Sequence, residues 1–181
     1  MTVYRTLALT FAFLWMHILC CSAAGEGNTA GLLQSPKGIG LGYERICSES
    51  VYNAYFIYAD FWPVLSGEAS QPGIKIDISH CEIYHLFDLN EKRFDWIGGG
   101  GFAAGYIRDI GSKVPGLCPA VLAKTGFRLS YDRGYVVEIS WQAELGLCIT
   151  RHTPGGNLVS SLYKAGLQRA WMPQLKLLYR F

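Results

Sequence analysis

The sequence predicts an all-β chain, an antiparallel up-and-down transmembrane β-barrel of about eight strands. Three observations carry this. Apolar residues make up 50% of the chain, yet after residue 24 no stretch of 12 is uniformly apolar, so no further transmembrane helix is available. In segment after segment the apolar residues alternate with polar ones at period two, the period of a strand and not of a helix. Finally, the closing segment Gln174–Phe181 puts Leu175, Leu177, Tyr179 and Phe181 on one parity and Gln174, Lys176 and Arg180 on the other. It stops on an aromatic side chain, which suits a last strand that closes a barrel at a lipid interface.

Residues 1–24 carry one early cation, Arg5, then an apolar run from Leu7 to Cys21 and the small residues Ser22, Ala23 and Ala24. That pattern predicts a secretory signal peptide cleaved after Ala24. A membrane anchor is the rival, but a span needs roughly 20 apolar residues and the run is shorter. A lipoprotein signal at Cys20 or Cys21 would need small residues before the cysteine, where His17, Ile18 and Leu19 stand. A short N-terminal segment, 25–36, is then expected, followed by one barrel domain over 37–181. With Arg5 removed, 15 basic residues face 14 acidic ones. That balance leaves no basic face for nucleic acid.

Taken in order, the first strand is expected over Lys37–Ile46, with Ile39, Leu41 and Tyr43 opposed by Gly38, Gly40, Gly42 and Glu44. Val51–Trp62 is apolar and aromatic on both faces and should end at Pro63, which cannot donate within a ladder. Ile74, Ile76 and Ile78 oppose Lys75, Asp77 and Ser79 in a strand running to about Phe87. Phe94–Arg108 aligns Trp96, Phe102 and Tyr106. Its run Gly98–Gly101 lacks the Lys-Ser/Thr and the helix of a phosphate loop; glycine within a strand instead permits tight curvature or lets a large side chain cross the lumen.

The next two strands form the clearest hairpin. Val121, Ala123, Thr125, Phe127, Leu129 and Tyr131 alternate with Lys124, Gly126, Arg128 and Ser130, and Tyr135–Thr150 places eight apolar residues on its odd positions. Asp132-Arg133-Gly134 is a turn between them. Pairing Tyr131 with Tyr135 sets Leu129 opposite Val137 and Phe127 opposite Ile139, and brings Arg128 against Glu138 as an opposite-charge pair. Leu158–Leu167 is a weaker strand, and the segment after Pro173 is the eighth.

Alternation alone leaves both an inward and an outward apolar face open. Arg128, Glu138, Lys124, Glu144, Lys176 and Arg180 share the polar face in near-balanced signs. That suits a narrow lumen filled by ion pairs, because an unpaired buried charge is costly. Counting eight strands back from a periplasmic C-terminus puts Asp132–Gly134 outside the cell, with the longer connections in the periplasm, the reverse of the usual pattern.

The last strand resembles the C-terminal strand of bacterial outer-membrane β-barrel proteins, in which a final Phe and a Tyr two residues earlier belong to the assembly signal. The resemblance implies that Leu175, Leu177, Tyr179 and Phe181 serve as that signal. It implies Sec-type export, folding by the outer-membrane barrel assembly machinery, outer-membrane lipid as surroundings, no cofactor and no metal. The expected role is structural or surface-binding, with a side-chain-filled lumen and no enzymatic activity. The alternatives are an outer-membrane lipid-modifying enzyme, a hydrolase or acyltransferase, and a soluble periplasmic lipid-binding barrel.

Two chemical features remain. Cys47, Cys81, Cys118 and Cys148 lie in the mature chain, and the hairpin register sets Cys118 opposite Cys148, a candidate disulfide in an oxidising envelope. No CxxC pair or His-Cys cluster at ligand spacing suggests zinc. For an enzyme, Ser79, His80, Glu82 and His85 form the nearest group, but within a strand Ser79 and His85 face one side and His80 and Glu82 the other.

Overall fold

The structure is a computed structural model that describes residues 27–36, 38–65, 67, 71–108, 115–151, 157–163, 167–168 and 170–181. The expected signal peptide lies outside these residues. Among the described residues nine strands follow in order: β1 (Asn28–Ser35), β2 (Gly38–Ser48), β3 (Val51–Asp60), β4 (Gly73–Leu89), β5 (Lys92–Arg108), β6 (Pro115–Tyr131), β7 (Tyr135–Arg151), β8 (Leu158–Leu162) and β9 (Pro173–Arg180). A four-residue helix, α1 (Trp62–Leu65), follows β3, with the Trp62 amide donating to Asp60 Oδ1 at 3.0 Å.

Every pairing is antiparallel and sequential from β1 to β7, and β9 pairs with both β7 and β1, so the sheet closes. The eighth stave is built from two strands. Leu147 of β7 faces Leu162 of β8, while Trp141 of β7 faces Pro173 of β9. The five β7 residues 142–146 lie between these two pairings, and ten residues, 163–172, separate β8 from β9 along the chain. Following Cα partners around the wall from Arg180 leads through Thr29, Glu44, Ala54, Ser79, Gly101 and Leu122 to Glu144. Along β7 that is ten residues beyond Gly134, whose carbonyl accepts the Arg180 amide at 2.8 Å. A stagger of this kind tilts the strands by roughly 35–45° and leaves a bore just wide enough for side chains.

This topology corrects the expected strand count in two places that cancel. Segment 25–36, expected to precede the barrel, contains its first strand. Leu158–Leu162, within the strand expected over Leu158–Leu167, and the strand from Pro173, expected as separate staves, lie end to end along one edge of β7. The orientation changes with them. Asp132–Gly134 lies at the same end as the C-terminus, together with Asn28 and the tight turns at 49–50 and 90–91. At those turns Asn90 (φ 53°) and Gly134 (φ 88°) take the left-handed conformation that reverses the chain tightly. The long connections, between β3 and β4, β5 and β6, and β7 and β8, all fall at the far end.

The two faces of the wall follow parity, interrupted at the register shifts after Ile46 and His85. Outward side chains include Leu41 at 61% exposure, Ile57 at 51% and Leu177 at 50%, whereas inward Glu44, Glu138 and Lys176 are at 0%. The double-sided apolar character of β3 is explained by this parity. Tyr52, Phe56 and Tyr58 point into the bore and are buried, while Ile57 points out. Gly42 makes room for the Phe56 ring: a Cβ there would sit 1.9 Å from the ring. Within the run Gly98–Gly101, Gly101 faces inward where β4 passes close, and a Cβ would lie 2.0 Å from the Ile78 carbonyl oxygen. The glycines thus serve close approach of strands and ring, and no phosphate loop forms.

Candidate functional site

Charged side chains from five strands, β2, β4, β6, β7 and β9, meet inside the barrel. In the half nearer the C-terminus, Glu138 is the hub. Its carboxylate is reached by Lys176 at 2.6 Å, Arg128 at 3.3 Å and Lys124 at 3.3 Å, and it accepts the Tyr52 hydroxyl at 3.1 Å. Glu44 lies opposite, 2.8 Å from Arg128 and 3.5 Å from Lys176, and accepts the Thr29 hydroxyl at 3.1 Å. Aromatic faces from β3 add to this. The Phe56 ring centre is 4.4 Å from Lys176 Nζ and 5.8 Å from Lys124 Nζ, and the Tyr52 ring lies 4.7 Å from the Arg128 guanidinium carbon.

Toward the far end a second cluster pairs Lys75 with Glu144. Gln142 Nε2 donates to Asp77 at 2.7 Å and to Glu144 at 3.1 Å, holding two carboxylates side by side. The two clusters together contain four cations, Lys75, Lys124, Arg128 and Lys176, and four carboxylates, Glu44, Asp77, Glu138 and Glu144. That equality allows them to be removed from water together, since no charge is left over. Above them Tyr163 packs with Ala103, Cys118, Ala120 and Leu122 in an apolar cap, with Trp62 against it.

Of the six lumen residues named from sequence, Arg128, Glu138, Lys124, Glu144 and Lys176 are in these ion pairs. Arg180 is not. It faces inward at the mouth and makes no ion pair among the described residues. Glu44, Lys75 and Asp77 are lumen partners that the sequence places on the polar parity but does not single out. Applying to β2 and β4 the parity rule used for β6 and β7 would have found them.

The closing residues Leu175, Leu177, Tyr179 and Phe181 face outward at 36%, 50%, 50% and 66% exposure. Tyr179 belongs to a set of outward aromatic pairs, in which it meets Tyr135 at 5.3 Å between centres, Tyr84 meets Trp96 at 4.9 Å and Phe94 meets Phe127 at 5.7 Å. The Ser-His group is split as parity requires. Ser79 is buried inside the bore, while His80 points outward and its Nδ1 lies 2.7 Å from Asn53 Oδ1. His85 faces Asp95 at 3.1 Å.

Cys118 and Cys148 face each other with their sulfurs 2.6 Å apart, where the β6–β7 ladder is interrupted beside Pro119. We expect a disulfide here in protein isolated from an oxidising compartment. Peptide mapping without reductant should recover the two cysteines as one linked species; recovery of both as alkylated thiols would refute it.

A closed antiparallel barrel with its charges paired inside and half-exposed Leu, Ile, Tyr and Trp side chains outside has the architecture of an outer-membrane β-barrel protein. No described helix is long and apolar enough to cross a membrane. No family model matches the sequence, and neither does any curated protein. Among solved structures, the chain is similar to the N-terminal β-barrel domain of OprF from Pseudomonas aeruginosa, at 13% identity and a TM-score of 0.46, over 86% of this chain and 96% of that one. It is also similar to a major outer membrane protein from Thermus thermophilus, at 12% identity and a TM-score of 0.49, over 87% of this chain and 100% of that one. Likeness at this level carries no argument, and the assignment stands on the wall and the lumen.

Proposed function

We propose that this protein is a non-enzymatic barrel of structural or surface-binding role, with a lumen closed to solutes. The supporting observation is the filled bore. Arg128, Glu138, Lys176 and Glu44 interlock across it, Tyr52 and Phe56 pack between them, and Tyr163 caps it. The tight turns and the C-terminus face the periplasm, following the rule that outer-membrane barrels keep short turns there. The long connections then face outward, where a partner or the cell surface would be met. Leu175, Leu177, Tyr179 and Phe181 would be read by the barrel assembly machinery before the wall closes, and outer-membrane lipid would surround the exterior.

Two observations weigh against the alternatives. An enzyme of the Ser-His type needs both groups on one side of the wall and within reach of each other; Ser79 and His80 are on opposite sides, while Ser79 and His85 share a side but stand six residues, about 20 Å, apart along β4. A soluble lipid carrier would turn its apolar face inward, and here that face is outside. In planar bilayers the purified protein is expected to give no stepwise conductance above the lipid background. Stable single-channel steps of a water-filled pore would overturn the closed-lumen reading.

A further inference from the structure

On the outer side of the wall, β2, β3 and β4 carry an unbroken polar row. Arg45 stands opposite Asn53, and Asn53 opposite His80. Arg45 keeps the outward parity of Leu41, Asn53 that of Ile57 and His80 that of Ile76. His80 Nδ1 lies 2.7 Å from Asn53 Oδ1, and Asn53 is only 1% exposed, so this pair is held firmly in the wall. Near the same rim on β7 and β9 the outward residues are Val137 and Leu177, directly opposed. The polar row is therefore a local departure from an apolar wall.

Charges of both signs flank the Asn53–His80 pair. Arg45 makes no ion pair among the described residues. Glu82 stands one row nearer the rim, opposite Val51, and accepts the Tyr84 hydroxyl. With β3 between them, Arg45 and Glu82 do not pair with each other. An ionisable side chain on a lipid face is tolerated where it reaches the headgroup layer or a partner.

Beyond His80 the same row loses its bulk. His80 faces Gly100, Gly100 faces Ala123 and Ala123 faces Ala143. Apart from its chain neighbours, a Cβ at Gly100 would meet only the Leu122 carbonyl oxygen, at 3.3 Å. Phe102, Val121 and Leu145 border this trough on the far side. Trp141 borders it on the near side, with the Trp96 indole over Gly98. Three strand spacings make the trough about 14 Å long. Arg45 lies near the end of β2 and Ala143 at the middle of β7, so the row climbs from the rim into the wall, as strand tilt requires.

We propose that this row binds one zwitterionic phospholipid with a primary ammonium, drawn from the periplasmic leaflet. Its phosphate meets Arg45, its ammonium meets Glu82, and one acyl chain lies over Gly100, Ala123 and Ala143. The two opposite charges at the mouth match the two charges of such a headgroup, and the guanidinium fork fits the phosphate. The site rests on the membrane placement proposed above and not on the closed lumen.

The test incubates the full chain, folded in a maltoside detergent, with equal parts dioleoyl phosphatidylethanolamine, phosphatidylglycerol and phosphatidylcholine, followed by native mass spectrometry. One retained phosphatidylethanolamine per barrel is expected. Arg45→Gln should weaken its retention about tenfold, the loss of one charge-assisted pair. Glu82→Gln should abolish the preference over phosphatidylglycerol while a lipid is still retained. Phosphatidylethanolamine brominated on its acyl chains should quench Trp96 in a chain whose other tryptophans are replaced by Phe, and Ala123→Leu should reduce that quenching. Arg133→Gln, on an exposed turn at the same end, should change neither readout. Retained gel mobility shifts on heating establish that the variants are folded. Equal retention of the three lipids by the wild type, or wild-type behaviour of both charge variants, would overturn the site. A dimer that Arg45→Gln dissolves would overturn it too, by giving the row to a second copy. Stable bilayer conductance with the lipid preference intact would remove the closed lumen and leave this site standing; a silent bilayer with no preference would do the reverse.

Discussion

Replacing Glu138 by Ala should destabilise the folded barrel by about 3–5 kcal/mol, the cost of breaking a buried ion pair by removing one partner. Glu138 is the shared acceptor of Lys176, Arg128, Lys124 and the Tyr52 hydroxyl. Without it, three cations remain around Glu44 alone, all with side chains almost wholly buried. They cannot be rehydrated where they stand, because the bore is filled. Reversible urea unfolding in liposomes measures the loss. Glu138→Gln should cost nearly as much, since the amide keeps the shape but not the charge. Adding Lys176→Met to Glu138→Gln should recover part of the stability by restoring the count of charges. A Glu138→Ala barrel that unfolds at the wild-type urea midpoint would show that water enters the bore freely, and the closed-lumen reading would fall with it.

The second large effect is expected at Gly42, where overpacking should cost about 3 kcal/mol at the upper end of what inserted core carbons do. In Gly42→Val the first added carbon already falls 1.9 Å from the Phe56 ring. The ring has little room to yield, because Lys176 and Lys124 lie against its face. The contact is between two side chains, so the effect should be strongly non-additive. Phe56→Leu alone should be mildly destabilising, and combined with Gly42→Val it should be more stable than Gly42→Val by itself. Simple additivity of the two losses in the same unfolding assay would mean that Gly42 is needed for strand curvature and not for the ring.

Much of the wall was legible without coordinates. The register of the β6–β7 hairpin, with Arg128 opposite Glu138, is the one the structure adopts, because turn chemistry, apolar alternation and cross-strand charge all select it. β1 was missed for a physical reason. Its inward residues Thr29, Gly31 and Leu33 and its outward residues Ala30, Leu32 and Gln34 mix small, apolar and polar groups on both faces. No contrast between faces is left for a period of two to reveal. Arg180 was placed on the correct face yet at the wrong task. Parity says which way a side chain points, but not whether it reaches the packed middle of the bore or its open mouth.

The sequence by itself determined where most strands run, which side chains share a face of each, and that Arg128, Glu138, Lys124, Glu144 and Lys176 lie on the polar face. These are local properties, fixed by alternation along a single strand and by the cost of burying a charge without a partner. Only the tertiary structure decided that β8 and β9 share one stave, that the first strand begins at Asn28, and that the tight turns gather at the end with the C-terminus. Those facts concern which strand edges meet after a full turn of the wall. They depend on a ten-residue stagger accumulated over eight neighbours, and alternation along any one strand carries no record of it.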